Sequence, residues 1–170
     1  MEKILRSVAA HDGHFHADEI CACAFLFIFD LIDRDLIFRT RDVDVINKCE
    51  YVVDVGNIYD PQKKRFDHHQ KDFKEQLSSA GMVLKYLRDE KIISNELFDY
   101  FNESFIKGVD AHDNGIVKLE KGCMSFSEVI ETYVPLSLKE IKKEEYDKLF
   151  LEAFDFTVGF IKRLLNRFYY

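Results

Sequence analysis

Ile4-Leu5-Arg6-Ser7-Val8-Ala9-Ala10 runs directly into His11-Asp12-Gly13-His14-Phe15-His16-Ala17-Asp18-Glu19, and then into a stretch carrying Ile20, Ala24, Phe25 and Ile28. The first seven residues alternate and are rich in Ile, Leu and Val, the pattern of a strand entering a sheet. Gly13 permits a tight turn with positive φ. From about Asp18 to Leu31 the apolar residues recur at helical spacing, which predicts a helix buried on at least one face. Strand, histidine-rich loop and helix together form the first unit of an α/β fold. Such folds carry their chemistry on loops at the carboxyl ends of parallel strands.

The following segments continue that pattern. Leu36 to Arg39 reads as a second strand, Val43 to Cys49 as a short helix, and Tyr51-Val52-Val53-Asp54-Val55-Gly56 as a third strand. Asp54 closes an apolar strand, a common place for a metal-binding carboxylate; its alternative role is that of a turn or cap residue. Asp60-Pro61 marks a turn. Ser78 or Ser79 is positioned to cap a helix that runs to about Glu90, and the free amides of that helix end could also receive an anion. A helix from Asn95 to Val109 leads into Val109-Asp110-Ala111-His112-Asp113-Asn114-Gly115. The last segment, about Glu144 to Arg167, places Leu149, Phe150, Ala153, Phe156, Phe160, Ile161, Leu164 and Leu165 at helical spacing, as core or as an interface. The expected architecture is α/β, a mainly parallel sheet flanked by helices, with a helical second half.

The 170 residues suit one domain with a single sizeable core. A formal net charge of -7 argues against broad nonspecific nucleic-acid binding. A nucleic-acid substrate held at a metal site stays open, because divalent cations reverse the local sign. The 4 cysteines have no disulfide-framework spacing and read as reduced thiols. No segment reaches the ~18 apolar residues of a membrane span and no secretory h-region is visible, so the expected compartment is cytoplasmic.

The functional signal is the grouping of the 6 histidines. They fall at His11, His14 and His16; at His68 and His69 within Phe66-Asp67-His68-His69-Gln70; and at His112. Each place is rich in Asp. If Asp67 to His69 were extended, the two imidazoles would point in opposite directions, one to a metal and one to a substrate. His and Asp donors without Cys suit Mn²⁺, Mg²⁺ or Co²⁺. The donors outnumber what one ion needs, so two ions sharing a carboxylate are expected; a single structural or regulatory ion is the alternative. Two ions ~3.5–4 Å apart can activate a water for in-line displacement at phosphorus.

Asp67-His68-His69 resembles the signature of the DHH phosphoesterase superfamily. More specifically, five ordered stretches resemble the Myg exonuclease family, also described as metal-dependent protein hydrolases. These are His11 to Glu19, Tyr51 to Gly56, Arg65 to Gln70, Leu77 to Gly81 and Val109 to Gly115. The resemblance implies a DHH-type catalytic domain holding two Mn²⁺ ions. Asp54 would bridge them; Asp18, His68 and Asp110 would complete one shell, and His11 with His16 the other. His69 would face the scissile phosphate as a donor or general acid, and Asp67 would orient the imidazoles. It assigns no role to His14, His112 or Asp113. His16 stands where the superfamily usually has Asp, a swap that matches the Myg branch.

The resemblance further implies one catalytic domain over residues 1–170, without the substrate-binding domain that follows it in the family. The activity implied is a 3′-to-5′ exoribonuclease acting on single-stranded RNA. Two alternatives stand beside it: hydrolysis of a small phosphoester or pyrophosphate, and a non-catalytic metal-binding interaction module that self-associates through the Phe-rich final helix.

Overall fold

The computed structural model describes residues 2–71, 73–136 and 141–170. Its sheet has five strands: β1 (Ile4–Ala10), β2 (Ile37–Arg39), β3 (Cys49–Val53), β4 (Tyr59–Asp60) and β5 (Arg65–Phe66), in the order β2-β1-β3-β5-β4. The β1–β2, β1–β3 and β3–β5 pairs are parallel, and only β4 runs antiparallel, at the edge. The fold is α/β with a mostly parallel sheet, as the alternation of strand and helix patterns indicated.

Helices α1 (Ala17–Ile28) and α2 (Val43–Lys48) are the crossovers of the first three strands. After β2 the chain steps back past β1, so the strand order reverses between β1 and β3. Open α/β sheets bind ligands outside the carboxyl ends of their strands at such a reversal.

The two sheet faces are covered unequally, and strand alternation explains which residue goes where. Val8, Ala10, Tyr51 and Val53 join the main core, whereas Ala9 and Val52 pack with Ile46 of α2 in a smaller cluster, which Cys49 at the start of β3 joins outside that alternation. The main core is helical: α3 (Ser79–Asp89), α4 (Asn95–Phe101), α5 (Lys107–Asp113), α6 (Phe126–Glu131) and α7 (Lys143–Tyr169) surround α1. Because α1 is enclosed on every side, Ile20 through Leu26 are all buried, including Cys21 and Cys23. All four cysteines are free thiols. A π-helical turn, Asn102–Ile106, joins α4 to α5 in one continuous helical run, so the expected helix ends at Asp113 and not at Val109. Phe150 and Phe154 of α7 lie in the core while Phe156 stays partly exposed. No helix among the described residues is long and apolar enough to cross a membrane.

Candidate metal centre

Strand register assembles the site. Ala9 pairs with Val52 and Val53 with Phe66, so the next positions, His11, Asp54 and Asp67, stand level at the carboxyl ends of three adjacent strands. The Asp54 N–H donates to the Phe66 carbonyl at 3.0 Å, continuing the ladder by one bond. At that bond Asp54 adopts φ +51°, a left-handed conformation that costs a non-glycine residue on the order of 1 kcal/mol. Backbone strain of this kind persists where its surroundings hold it, and it collects at functional sites.

Asp54 lies at the middle of the constellation. Its Oδ2 is 3.2 Å from His11 Nε2, and its Oδ1 is 3.5 Å from His68 Nε2 and 3.4 Å from His69 Nδ1. Three sets of side chains each bring donor atoms within 4.8 Å of one another: His11, His16, Glu19 and Asp54; Asp54, His68 and His69; and Asp18, His68 and Asp113. Asp54 belongs to the first two sets and His68 to the last two. The structure therefore brings His11, His16, Asp18, Asp54 and His68 together, and it adds Glu19 and Asp113.

Asp110 is not among these donors. Its Oδ1 accepts from the Ser78 N–H at 3.0 Å and from the Ser78 hydroxyl at 2.7 Å. A Cβ on Gly81 would lie 2.5 Å from its Oδ2, so only glycine leaves room for this carboxylate beside α3. Asp113, one turn further along α5, faces His68 instead, with Oδ2 3.1 Å from Nε2. Ser78 occupies the N-cap position of α3, yet its hydroxyl donates to Asp110 and caps nothing. The first helical amides receive a carboxylate from elsewhere: Ser79 and Ala80 donate to Asp18 at 3.0 and 2.6 Å. An internal anion thus occupies the helix end that was open to a ligand, and the positive end of the helix dipole favours it.

Glu19 was hidden by a local motif. The His16 N–H donates to its carboxylate at 3.0 and 3.1 Å, the reciprocal arm of a capping box at the start of α1. The same carboxylate, wholly buried, lies 3.0 Å from His11 Nε2. His11 Nδ1 is 3.0 Å from the Asp12 carbonyl, which can only accept, so Nδ1 carries a proton and Nε2 is the nitrogen turned to the site.

The Asp67-His68-His69 stretch is not a strand; β5 ends at Phe66. The two imidazoles consequently lie side by side, ring centroids 4.3 Å apart, and differ by depth and not by direction. His68 is nearly buried, whereas the His69 side chain is 58% exposed. Asp67 accepts from the Asn57 N–H at 2.6 Å and the His69 N–H at 3.0 Å, and it holds His69 Nδ1 at 2.7 Å. The exposed edge of His69, Nε2, is thereby left toward the cavity.

The electrostatics push neighbouring groups apart. Burial works against a charged His11, but the hydrogen bonds and charges of Asp54 and Glu19 outweigh it and raise the imidazole to about 11. His68 is likewise opposed by burial and raised to about 10 by Asp113, Asp54 and Asp18. Burial also opposes ionisation of Asp54, yet the His11 and His68 contacts hold it well below the usual carboxylate range. Asp18 goes the other way: burial, then the charges of Asp54 and Asp113, raise it well above normal. Burial raises Asp110 to about 6.

Divalent cations fit this donor set. Asp54 Oδ1 and His68 Nε2 are buried without a well-formed hydrogen bond, a state that is costly unless another partner satisfies both atoms. The donors are carboxylate and imidazole with no thiolate, which matches hard to borderline ions.

The site opens into a cavity of about 1050 Å³, and all six histidines line it. His14 pairs with Glu131 of α6 at 3.1 Å, and His112 Nδ1 reaches the Ser125 hydroxyl at 3.4 Å, so both histidines without an assigned role stand on the cavity wall. Among the described residues the lining includes no Phe, Tyr or Trp, and one arginine, Arg41.

Comparison with known proteins adds relatedness to this geometry. The profile of an uncharacterised protein family, UPF0160, named for MYG1 exonuclease, matches residues 7–169. The chain is 45% identical over 168 residues to the MYG1 protein of Chlamydia pneumoniae, covering 99% of this chain and 57% of the relative. It is 34% identical over 177 residues to a MYG1 protein of Schizosaccharomyces pombe (88% and 53%). It is 37% identical over 139 residues to the MYG1 exonuclease of Bos taurus (68% and 36%). The chain thus spans a little over half the length of the chlamydial relative. No solved structure gives a significant match.

Proposed function

The chain belongs to the MYG1 exonuclease family, and from that premise we propose that its cavity is a divalent-metal phosphoesterase centre of the DHH type, acting as a 3′-to-5′ exoribonuclease. The single observation that carries this reading is the position of Asp54. It is strained, buried and shared by two donor sets, with Oδ1 lacking a hydrogen bond and His68 Nε2, equally unpartnered, facing it.

In this proposal Asp54 would be shared by two ions; His11, His16 and Glu19 would hold one and His68, Asp18 and Asp113 the other, with Asp110 behind them fixing α5 against α3. Mn²⁺ is the first candidate, with Mg²⁺ and Co²⁺ admitted by the same donors. Such ions supply a nucleophilic water at neutral pH and neutralise charge building on the phosphoryl oxygens. The chain's own residues do the rest. Asp67 fixes the His69 ring through Nδ1 and would stabilise its imidazolium form, whose Nε2–H could donate to a phosphate oxygen or pass its proton to the leaving oxygen. The Asp12 carbonyl holds the His11 ring through Nδ1, leaving Nε2 toward the ions.

A second reading is hydrolysis of a small phosphoester or pyrophosphate, favoured by a cavity lining that has no Phe, Tyr or Trp among the described residues on which bases could stack.

The test uses the purified chain stripped of metal, then supplied with Mn²⁺ or Mg²⁺ and either 3′-labelled single-stranded RNA or inorganic pyrophosphate, with His68→Ala alongside. Metal-restored release of the labelled 3′ nucleotide, lost in the variant, is the expected result. Turnover of pyrophosphate alone would select the second reading. Tight Mn²⁺ binding with neither reaction would make the centre a non-catalytic module.

A further inference from the structure

Among the described residues Arg41 is the one guanidinium on a cavity wall that also carries the carboxylates of Asp18, Asp54, Asp67, Asp113 and Glu131. Its place follows from the sheet. Ala10 pairs with Arg39, so Arg41 stands level with Asp12, one strand over from the register that sets His11, Asp54 and Asp67. The segment carrying it is pinned: the Thr40 N–H donates to the Ala10 carbonyl at 2.8 Å, the Asp42 N–H to the Thr40 hydroxyl at 3.0 Å, and Asp42 in turn caps α2. The side chain by contrast is 66% exposed, and among the described residues its charged contact is a 3.3 Å approach to Asp12. An exposed pair of that kind is weak and readily exchanged.

We propose that Arg41 docks the phosphate adjacent to the scissile one, so that the cavity takes a nucleotide chain by two consecutive phosphates and is indifferent to its bases. The inference rests on the phosphodiesterase reading above and names which feature of the substrate that site recognises. A guanidinium offers two parallel N–H donors matched to phosphate oxygens, an arrangement an ammonium lacks. Exchanging Asp12 for phosphate keeps the arginine paired. Among the described residues the lining has no Phe, Tyr or Trp, the large rings on which single-stranded bases stack, which shifts recognition toward the backbone.

The experiment measures equilibrium binding to the Mn²⁺-loaded chain of a phosphorothioate-linked thymidine dinucleotide, chosen to resist cleavage, with and without a 5′-phosphate. The wild-type chain should bind the phosphorylated form about tenfold tighter, the gain expected of one charge-assisted phosphate contact. Arg41→Ala should abolish that preference and leave the affinity for the unphosphorylated form unchanged; Arg41→Lys should restore part of it. A preference that survives in Arg41→Ala, or an equal loss for both probes, would overturn the proposal, as would a wild-type chain blind to the 5′-phosphate. Binding is read without turnover, so failure of the hydrolase reading would show in the RNA assay and failure of this one here.

Discussion

Asp110 and Asp113, one turn apart on α5, face different partners: Asp110 accepts two hydrogen bonds from Ser78, while Asp113 stands 3.1 Å from His68 Nε2. The first is a fastening between α5 and α3, and the second belongs to the donor set. Asp113→Asn should therefore weaken Mn²⁺ binding at least tenfold with little change in thermal stability. Asp110→Asn should mainly lower stability, by about 1–3 kcal/mol, because a hydrogen-bonded buried anion is replaced by an amide that donates where donors already point. Calorimetric titration and thermal melts of the two variants separate these outcomes.

Gly81→Ala should reproduce the Asp110 defect from the opposite side. The added Cβ would meet both carboxylate oxygens, at 2.5 and 2.7 Å. Overpacking at a tightly fitted contact costs about 1–3 kcal/mol, readable in urea unfolding. An alanine variant as stable as the wild type would show that α3 and α5 can part without penalty.

Glu19→Gln preserves an oxygen acceptor for the His16 N–H but removes the anion facing His11. Helix α1 should remain capped and the fold intact. Loss of a charged donor from the first set should cost no less than the ~10–100-fold in metal affinity typical of outer-shell partners, and Mn²⁺ titration of the variant measures it.

Stability and metal affinity should respond to pH with opposite slopes. His11 and His68 are raised from an ordinary value of 6.5 to about 11 and about 10. In the metal-free chain the stability their pairing with carboxylates contributes is complete below about pH 6.5. It is lost as the pH climbs through the folded values. A metal needs both imidazoles neutral, so Mn²⁺ binding should release protons and strengthen between pH 6 and 9 while the melting temperature of the metal-free chain falls. Parallel slopes would show that the two histidines are not charged before metal enters.

Much of the framework was legible because its signals are local. β1 spans Ile4 to Ala10 as its alternation implied, and Asp54 does follow an apolar strand at the sheet's carboxyl edge. The choice between Asp110 and Asp113 was not legible. Both lie on one helical segment, and what separates them is distant in sequence: the donors of Ser78, the bare Cα of Gly81 and the π turn that sets the rotation of α5. Glu19 escaped notice because its spacing from His16 is that of an ordinary capping box, and only the fold brings His11 onto the same carboxylate. The strand geometry expected of His68 and His69 failed because β5 stops at Phe66, where its parallel pairing with β3 ends. Asp18 carried a signal for the site but none for its helix-end contacts, since Ser79 and Ala80 are some sixty residues away.

The most direct test of the account is a crystal structure of the Mn²⁺-loaded chain with anomalous data at the manganese edge. Two peaks are predicted, both touching Asp54: one among His11, His16 and Glu19, the other among His68, Asp18 and Asp113. A map with no ion against Asp54, or with manganese held only by residues outside these sets, would contradict it.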